Sequence, residues 1–425
     1  MAGEVRLTVH TNKTMFPAID DQQLVYVLIE AAPTDAVADV QMPLNFSLVL
    51  DHSGSMSGAK LSNLKEAAKI AIDQMGPRDL VSIVIFDDKV KVVAPGQAVT
   101  DAADLKQQIE GIRDGGGTEM SRGMRKGLEE LRKGMEPGRV SHMLLLTDGE
   151  TFGDESVCRQ LAAEAGEQDI AITVLGLGEE WNEQLLDDIA QASSGTSDFI
   201  PDGQPDVILG AFEACVRAAQ ATVVQNAEML LRLVSGVMPR AVWRVTPMIS
   251  KLGHRALSDR DVQVALGDMD RDQGQSVLIE MLVPPRQPGK YRIAQAEMAY
   301  NVAAAGLTGE RAKADVILGF TADAAQASQT NPYVMNTVEK VTAHRLQTQA
   351  LDEAAVGNVA RATQKLRAAA TRLLELGEDE LAQTAAEEAE RLARGESLSA
   401  GGTKKLRYET RKLTQKLLED NALSE

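Results

Sequence analysis

Side chains that carry oxygen atoms are concentrated in the stretch from Phe46 to Gly58, where an apolar run ends in a polar loop. Similar groups follow a run of three glycines and, later, a second apolar run that ends at Leu146. Two carboxylates and three hydroxyls from these segments are candidate metal ligands, namely Asp51, Ser53, Ser55, Thr118 and Asp148. Hard oxygen ligands suit Mg²⁺ or Mn²⁺, whereas zinc favours cysteine and histidine. The sequence therefore predicts a magnesium or manganese site.

The charge of this ligand set indicates what the site could recognise. Two carboxylates balance a divalent cation only if both bind it directly. If one of them acts through a water molecule, the cation stays electron-poor and attracts an acidic group from another molecule. Such a site is suited to the Asp or Glu side chain of a protein partner.

The elements that must position these ligands follow an alternating pattern. Apolar runs typical of strands buried on both faces occur at residues 46–50, 81–86, 143–147 and 170–175. Amphipathic stretches typical of helices occur at residues 61–75, 102–112, 119–133, 155–167, 182–192 and 205–219. The alternation predicts an α/β domain at residues 44–221 with a doubly wound, mostly parallel, Rossmann-like sheet. In such a sheet ligands bind at the carboxyl ends of strands, where Asp51 and Asp148 lie.

The segments on both sides of this domain have the two-residue periodicity of β-strands. They comprise residues 1–43 and residues 222–325, and Gly and Pro clusters separate the later runs. Because the first segment is too short to bury a core alone, we expect both segments to form one antiparallel β-sandwich. The α/β domain would then be inserted between strands of that sandwich.

The remaining segment, residues 326–425, is dominated by Ala, Glu, Arg and Leu at helical spacing. This pattern predicts a C-terminal α-helical bundle. Gly377 is expected to end one helix of the bundle. Gly401 and Gly402 are expected to form a break before a last helix that ends near Leu423.

The five candidate ligands, in their order along this α/β pattern, resemble the metal-ion-dependent adhesion site of von Willebrand factor type A (VWA) domains. The resemblance covers residues 45–221, and all five positions of the motif are present. It implies that Ser53, Ser55 and Thr118 coordinate the cation. It also implies that Asp51 is held by the loop or through a water molecule, and that Asp148 contacts the cation mostly through water. The flanking sandwich and helical tail are similar to bacterial cytoplasmic proteins of the same superfamily.

Composition narrows the classes of partner. The formal net charge is −18, with 44 Lys and Arg against 62 Asp and Glu, so the electrostatic field should repel nucleic acid and anionic membranes. No run approaches the roughly 18 apolar residues of a membrane span, and residues 1–9 lack a signal-peptide core. Cys158 and Cys215 lie in predicted helices and are expected to be small buried residues. These features predict a cytoplasmic protein without a nucleic-acid or membrane partner.

A second acidic segment, residues 267–274, has the Asp-x-Asp-x-Asp spacing of a calcium loop. Gln273 and Ile279 occupy the positions where an EF-hand requires Gly and Glu, and the flanking runs predict strands rather than helices. We interpret the segment as an acidic hairpin turn.

Catalytic motifs are also incomplete near the candidate metal site. Asp51, His52 and Ser53 are consecutive, and neighbouring side chains in such a segment point in different directions, so they cannot form a catalytic triad. A phosphoryl-transfer enzyme with Asp51 as nucleophile would need a second carboxylate where Ser53 lies. We therefore predict a protein without enzymatic activity, in which His52 only lines the loop.

The first hypothesis is a divalent-cation-dependent protein-interaction module that binds an acidic residue of its partner through the metal. A second hypothesis is a scaffold that acts mainly through its helical tail, with the metal fixing loops. A third is a metal-dependent phosphohydrolase or, as the resemblance suggests, an accessory subunit of an AAA+ ATPase or chelatase-like complex.

Overall fold

The computed structural model describes residues 3–37, 41–151, 153–253, 255–258 and 260–415. The chain divides into two compact units, and the first, here called the β/helical unit, is discontinuous in sequence. The β/helical unit comprises Met1–Ala38, Asn226–Asn301 and Gly309–Glu425. The second, here called the α/β unit, comprises Asp39–Gln225 and Val302–Thr308.

Strands occur in both units and are numbered in chain order. They are β1 (Val5–Thr11), β2 (Met15–Pro17), β3 (Gln23–Pro33), β4 (Leu44–Asp51), β5 (Leu80–Phe86), β6 (Val90–Ala98), β7 (Val140–Gly149), β8 (Ile170–Glu180), β9 (Ser197–Ile200), β10 (Thr222–Leu233), β11 (Met238–Thr246), β12 (Ser250–Lys251), β13 (Arg255–Ala256), β14 (Asp261–Asp270), β15 (Gln275–Val283), β16 (Gly289–Val302) and β17 (Leu307–Thr321).

The α-helices are numbered in the same way. They are α1 (Ala59–Asp73), α2 (Ala102–Glu110), α3 (Met120–Lys133), α4 (Glu155–Glu167), α5 (Glu183–Ala192), α6 (Pro205–Ala221), α7 (Ala324–Ser328), α8 (Pro332–Ala355), α9 (Val359–Glu375), α10 (Asp379–Ala393) and α11 (Ala400–Glu409). None of the helices in the described residues combines the length and apolar content needed to span a bilayer.

The α/β unit contains one sheet with the strand order β6-β5-β4-β7-β8-β9. All neighbouring pairs are parallel except β5 and β6. This confirms the predicted doubly wound, mostly parallel α/β fold. The antiparallel edge strand β6 was not expected, because Pro95 and Gly96 interrupt its sequence and are typical of loops or sheet edges.

Strand β4 lies in the middle of this sheet and is buried along its whole length. Phe46, Leu48 and Leu50 belong to the core that also contains the apolar face of α1. On the other side of the sheet α3 approaches closely, since a Cβ on Gly127 would lie 2.5 Å from Cγ2 of Val49. Both faces of β4 are therefore covered, as a continuous apolar strand in a parallel sheet requires.

The β/helical unit contains two sheets. One has the order β1-β3-β15-β11-β12 with antiparallel pairs, and the other has the order β13-β14-β10-β16-β17-β2. The N-terminal strands therefore pair with strands that follow the α/β unit in sequence. Side chains also link the sheets, because Arg244 and Gln275 donate hydrogen bonds to the carbonyl of Leu266. The assignment of both sheets to one β-sandwich stays a prediction.

The prediction of a hairpin at residues 267–274 was wrong. The turn joins β14 and β15, which belong to different sheets, so it connects the sheets instead of closing a hairpin. Asp270 shapes this turn, because its Oδ1 accepts hydrogen bonds from the N–H groups of Asp272 and Gln273 at 2.9 and 2.6 Å. The acidic side chains serve the turn geometry that such sequences favour.

The C-terminal helices pack together and against the first sheet of the same unit. Their core joins Leu28, Trp243 and Leu278 of that sheet to apolar residues of α8, α9 and α10. Gly377 follows α9 with a φ of 77°, which is the expected left-handed helix end.

The predicted break at Gly401 and Gly402 was wrong, because both residues lie in the first turn of α11. Ser399 caps this helix by accepting a hydrogen bond from the N–H of Gly402, and its hydroxyl donates to Glu388. A side chain on Gly402 would collide with Glu388, so close packing explains the glycine. The predicted helix end near Leu423 lies outside the described residues.

Candidate metal centre

The candidate ligands lie where the order of strands in the α/β sheet reverses. β4 ends at Asp51, β7 carries Asp148 near its end, and these strands are parallel neighbours. The chain continues from β4 to β5 and β6 on one side, and from β7 to β8 and β9 on the other. Open α/β sheets bind ligands in the crevice at such a switch point.

Asp51 is fully buried at the end of β4. Its Oδ1 accepts a hydrogen bond from the N–H of Ser53 at 2.8 Å, and its Oδ2 accepts one from Oγ1 of Thr147 at 2.7 Å. Burial raises the pKa of Asp51; hydrogen bonds from Ser53 and Thr147 oppose this rise, and the charge of Asp148 adds to it. A cation nearby would favour the ionised carboxylate.

Ser53, Ser55 and Asp148 form a continuous chain of oxygen atoms. Oγ of Ser53 lies 3.1 Å from Oγ of Ser55, which donates a hydrogen bond to Oδ1 of Asp148 at 2.6 Å. Ser53 and Asp148 are buried, whereas Ser55 is exposed to solvent. The site is therefore fixed on its inner side and open on its outer side.

The triple-glycine loop is held against the loop that follows β4. The N–H of Gly115 donates to the carbonyl of His52 at 2.9 Å, and the N–H of Gly54 donates to the carbonyl of Gly116 at 3.2 Å. Gly116 has a φ of +66°, and a Cβ there would lie 2.5 Å from the carboxylate of Asp87. Glycine is therefore required at this position, both for conformation and for space.

Thr118 follows this loop and lies beside the segment that carries Asp148. A Cβ built on Gly149 would be 3.8 Å from Oγ1 of Thr118, so the hydroxyl faces that segment across a small gap. Hydrogen bonds or chain proximity thus bring all five predicted ligands to one edge of the sheet.

Two residues that sequence reasoning did not assign hold the start of α3, which follows Thr118. Oγ1 of Thr151 accepts a hydrogen bond from the N–H of Met120 at 3.1 Å, and Oδ2 of Asp154 accepts one from the N–H of Ser121 at 2.7 Å. Thr151 also donates to Asp154 at 2.5 Å. These side chains cap α3 from another segment of the chain, which local cap patterns in the sequence do not reveal.

Lys60 was also not predicted as part of the site. Its Nζ lies 2.7 Å from Oδ2 of Asp148 and 3.7 Å from Oδ1 of Asp202. Burial lowers the pKa of Lys60, but the hydrogen bond to Asp148 and the charges of Asp148, Asp202 and Glu180 raise it above its ordinary value. A lysine in the first turn of a helix is unfavourable for the helix dipole. This is the sequence feature that could have indicated a special role for Lys60.

His52 contacts the neighbouring loops and none of the predicted ligands. Its Nδ1 lies 2.8 Å from the carbonyl oxygen of Arg113, and its Nε2 lies 3.8 Å from Oδ2 of Asp87. These contacts agree with the expectation that His52 lines the loop.

The donor set fits a hard divalent cation. All of its donors are oxygen atoms, and Oγ of Ser53 and Oγ of Ser55 lie 3.1 Å apart, close to the roughly 3 Å between adjacent ligands of an octahedral Mg²⁺ ion at about 2.1 Å. Within the described residues, no cluster of three or more His, Cys, Asp or Glu side chains is placed to hold a metal. The candidate centre relies instead on hydroxyl groups.

Two parts of the chain match known families. Residues 45–204 match the von Willebrand factor type A domain, and residues 332–416 match the Sll0103-like, C-terminal alpha-helical domain. The chain therefore contains a VWA domain followed by a C-terminal helical domain. Domains of the VWA family are generally protein-interaction modules, and their adhesion sites typically bind divalent metals.

Individual proteins are also similar to this chain in sequence or in fold. Protein sll0103 of Synechocystis sp. is 34% identical over 278 residues, which is 64% of this chain and 64% of that protein. The match thus spans less than two thirds of the relative's length.

The von Willebrand factor type A structure from Catenulispora acidiphila has a TM-score of 0.75 at 19% identity and covers 96% of both chains. The ArnB paralog VWA2 from Sulfolobus acidocaldarius has a TM-score of 0.57 at 15% identity over 98% of both chains. These structures share the fold.

Proposed function

We propose that the VWA domain binds a divalent cation and, through it, an acidic residue of a protein partner. Ser53, Ser55 and Thr118 would bind the cation directly, and Asp51 and Asp148 would complete its shell. The bound cation would offer one coordination position to a carboxylate. The cation would be Mg²⁺ or Mn²⁺.

The observation that carries this proposal is the chain of oxygen atoms from Ser53 through Ser55 to Asp148 at the switch point of the sheet. Oγ of Ser53 and Oγ of Ser55, two of the proposed direct ligands, lie 3.1 Å apart, close to the roughly 3 Å between adjacent ligands of octahedral Mg²⁺. The 2.6 Å contact between Ser55 and Asp148 is a hydrogen bond that positions the serine hydroxyl.

The arrangement of charges supports an acidic partner. The hydrogen bonds to Asp51 come from neutral groups, so this carboxylate keeps its charge, whereas Lys60 compensates the charge of Asp148. The charge of Asp51 alone would not balance the two positive charges of a bound cation, while the exposed side at Ser55 leaves room for a ligand. A carboxylate from a partner would supply the missing charge.

Titration of the full chain with Mg²⁺ by calorimetry tests the metal site. Thr118→Ala removes a proposed direct ligand and is expected to weaken binding by more than about tenfold. Ser62→Ala is the matched control, because Ser62 is an exposed hydroxyl on α1 outside the site and its loss should leave the affinity unchanged. Equal Mg²⁺ affinity in wild type and Thr118→Ala would contradict the proposal.

Partner binding tests the second half of the proposal. Proteins retained on the immobilised full chain in Mg²⁺ should be released by EDTA, and Asp51→Ala should fail to retain them while the fold persists. Partner capture that continues unchanged in EDTA would show that the interaction does not use the metal.

A second candidate function is a scaffold that acts through the C-terminal helical domain. Val356 and Leu374 are large apolar residues of this domain that are 72% and 62% exposed. Replacing both with serine should abolish partner binding and leave Mg²⁺ affinity intact if exposed apolar residues of this domain form the main interface. Retained binding would reject the scaffold. The AAA+ ATPase or chelatase-like partner stays a prediction from the resemblance.

A further inference from the structure

Lys60 places a positive charge directly against one of the proposed metal-site carboxylates. It lies in the first turn of α1, and its side chain is 30% exposed. Nζ of Lys60 is 2.7 Å from Oδ2 of Asp148, whose other oxygen accepts the hydrogen bond of Ser55. Asp202, which is 55% exposed, also lies near the ammonium group, with its Oδ1 at 3.7 Å from Nζ.

We propose that Lys60 is a positioning residue that selects acidic ligands by limiting the carboxylate charge available to the metal. The inference rests on the proposed function of the site and concerns its specificity. By pairing with Asp148, Lys60 cancels one of the two carboxylate charges. The cation then keeps a net positive charge and requires an anionic ligand from outside.

The other contacts of the two carboxylates support this role. Both oxygens of Asp51 are held, one by the N–H of Ser53 and the other by Thr147. Both oxygens of Asp148 are held as well, one by Ser55 and the other by Lys60. Among these four partners, Lys60 is the one that carries a formal charge. It is therefore the group that can offset the negative charge of the carboxylates.

Two effects of opposite sign follow from this arrangement. The ammonium group repels a nearby divalent cation and engages Oδ2 of Asp148. It therefore weakens binding of the metal when no carboxylate ligand is present. The same positive charge strengthens binding of a carboxylate to the metal-loaded site. A residue that merely stabilised the fold would change both affinities in the same direction.

Lys69 provides a matched control on the same helix. Its Nζ pairs with Glu66 at 2.8 Å and with Glu110 at 2.7 Å, away from the proposed ligands. Lys60→Met and Lys69→Met change the net charge of the chain equally. A difference between them therefore reports the position of the charge.

The experiment uses the full chain with Mn²⁺ as the metal probe and acetate as the carboxylate probe. Free Mn²⁺ is measured by electron paramagnetic resonance during titration, and acetate binding by paramagnetic broadening of its methyl proton signal. Lys60→Met should bind Mn²⁺ more tightly by about tenfold, and its loaded form should bind acetate more weakly by a similar factor. Lys69→Met should remain within about twofold of wild type. Lys60→Arg retains the charge with a different shape, so its affinities should lie closer to those of wild type than to those of Lys60→Met.

The outcomes separate this inference from the proposed function. If the wild-type chain fails to bind Mn²⁺, the proposed metal site is wrong. If wild type binds Mn²⁺ and Lys60→Met leaves either affinity unchanged, or lowers both, the role of Lys60 is wrong while the metal site stands.

Discussion

The hydrogen bond from Thr147 to Asp51 should be a measurable source of stability in the α/β unit. Both side chains are fully buried, and Oγ1 of Thr147 donates to Oδ2 of Asp51 at 2.7 Å. Thr147→Val preserves the shape of the side chain but leaves a buried carboxylate oxygen without its donor. We expect this substitution to destabilise the unit when metal is removed by EDTA.

The magnitude follows from the charge and burial of the acceptor. A hydrogen bond to a charged group contributes about 1.5–3 kcal/mol, so Thr147→Val should lower the free energy of unfolding by about 2 kcal/mol. Thr147→Ser keeps the hydroxyl and loses one methyl group, at a cost of about 0.8 kcal/mol. Ser82→Ala removes a neutral hydrogen bond to Ser47 in the same sheet and should cost about 1 kcal/mol.

Each unit contains one of the two tryptophans, which makes the assay specific. Trp181 is buried in the α/β unit and Trp243 in the β/helical unit. In a Trp243→Phe background, urea unfolding followed by Trp181 fluorescence reports the α/β unit alone. This separation matters because a chain with two units need not unfold in a single transition.

The pH dependence gives an independent check on this reasoning. Burial raises the pKa of Asp51, and the Thr147 hydrogen bond opposes that rise. The bond therefore stabilises the ionised carboxylate, and the cost of Thr147→Val should be largest at neutral pH and shrink as the pH falls through the pKa of Asp51. A cost no greater than that of Ser82→Ala, or one independent of pH, would refute the argument.

Two further predictions concern packing and pH dependence in the same unit. Gly127→Ala should lower the free energy of unfolding by about 1–3 kcal/mol because its Cβ would lie 2.5 Å from Val49. Gly210→Ala, in open space on α6, should instead be stabilising by about 0.5–1 kcal/mol; equal effects in urea unfolding would contradict the packing argument. Burial lowers the pKa of His142 from 6.5 to about 4, so the folded unit should lose up to about 3 kcal/mol of stability as the pH falls from 6.5 to 4. His142→Gln should remove this part of the slope, and an unchanged slope would show that other groups cause it.

Periodicity and the spacing of polar residues predicted much of the α/β unit. The predicted helix at residues 155–167 coincides with α4, because its apolar positions repeat at helical spacing. Strand β6 was missed because Pro95 and Gly96 obscure its pattern, although both are compatible with an edge strand. The break expected at Gly401 and Gly402 was wrong, since proximity to Glu388 requires a glycine inside α11.

The sequence by itself determined which residues could bind a metal. The two carboxylates and the two serines lie at or just after the ends of apolar strands, Thr118 follows the triple-glycine loop, and strands buried in a parallel sheet bring their carboxyl ends to the same edge. The tertiary structure decided how each group is held and how its charge is balanced. Thr147 bonds Asp51 across 96 positions of the chain, and Lys60 bonds Asp148 across 88. Local sequence patterns carry no record of such contacts, because they arise only when strand order and helix packing bring distant segments together.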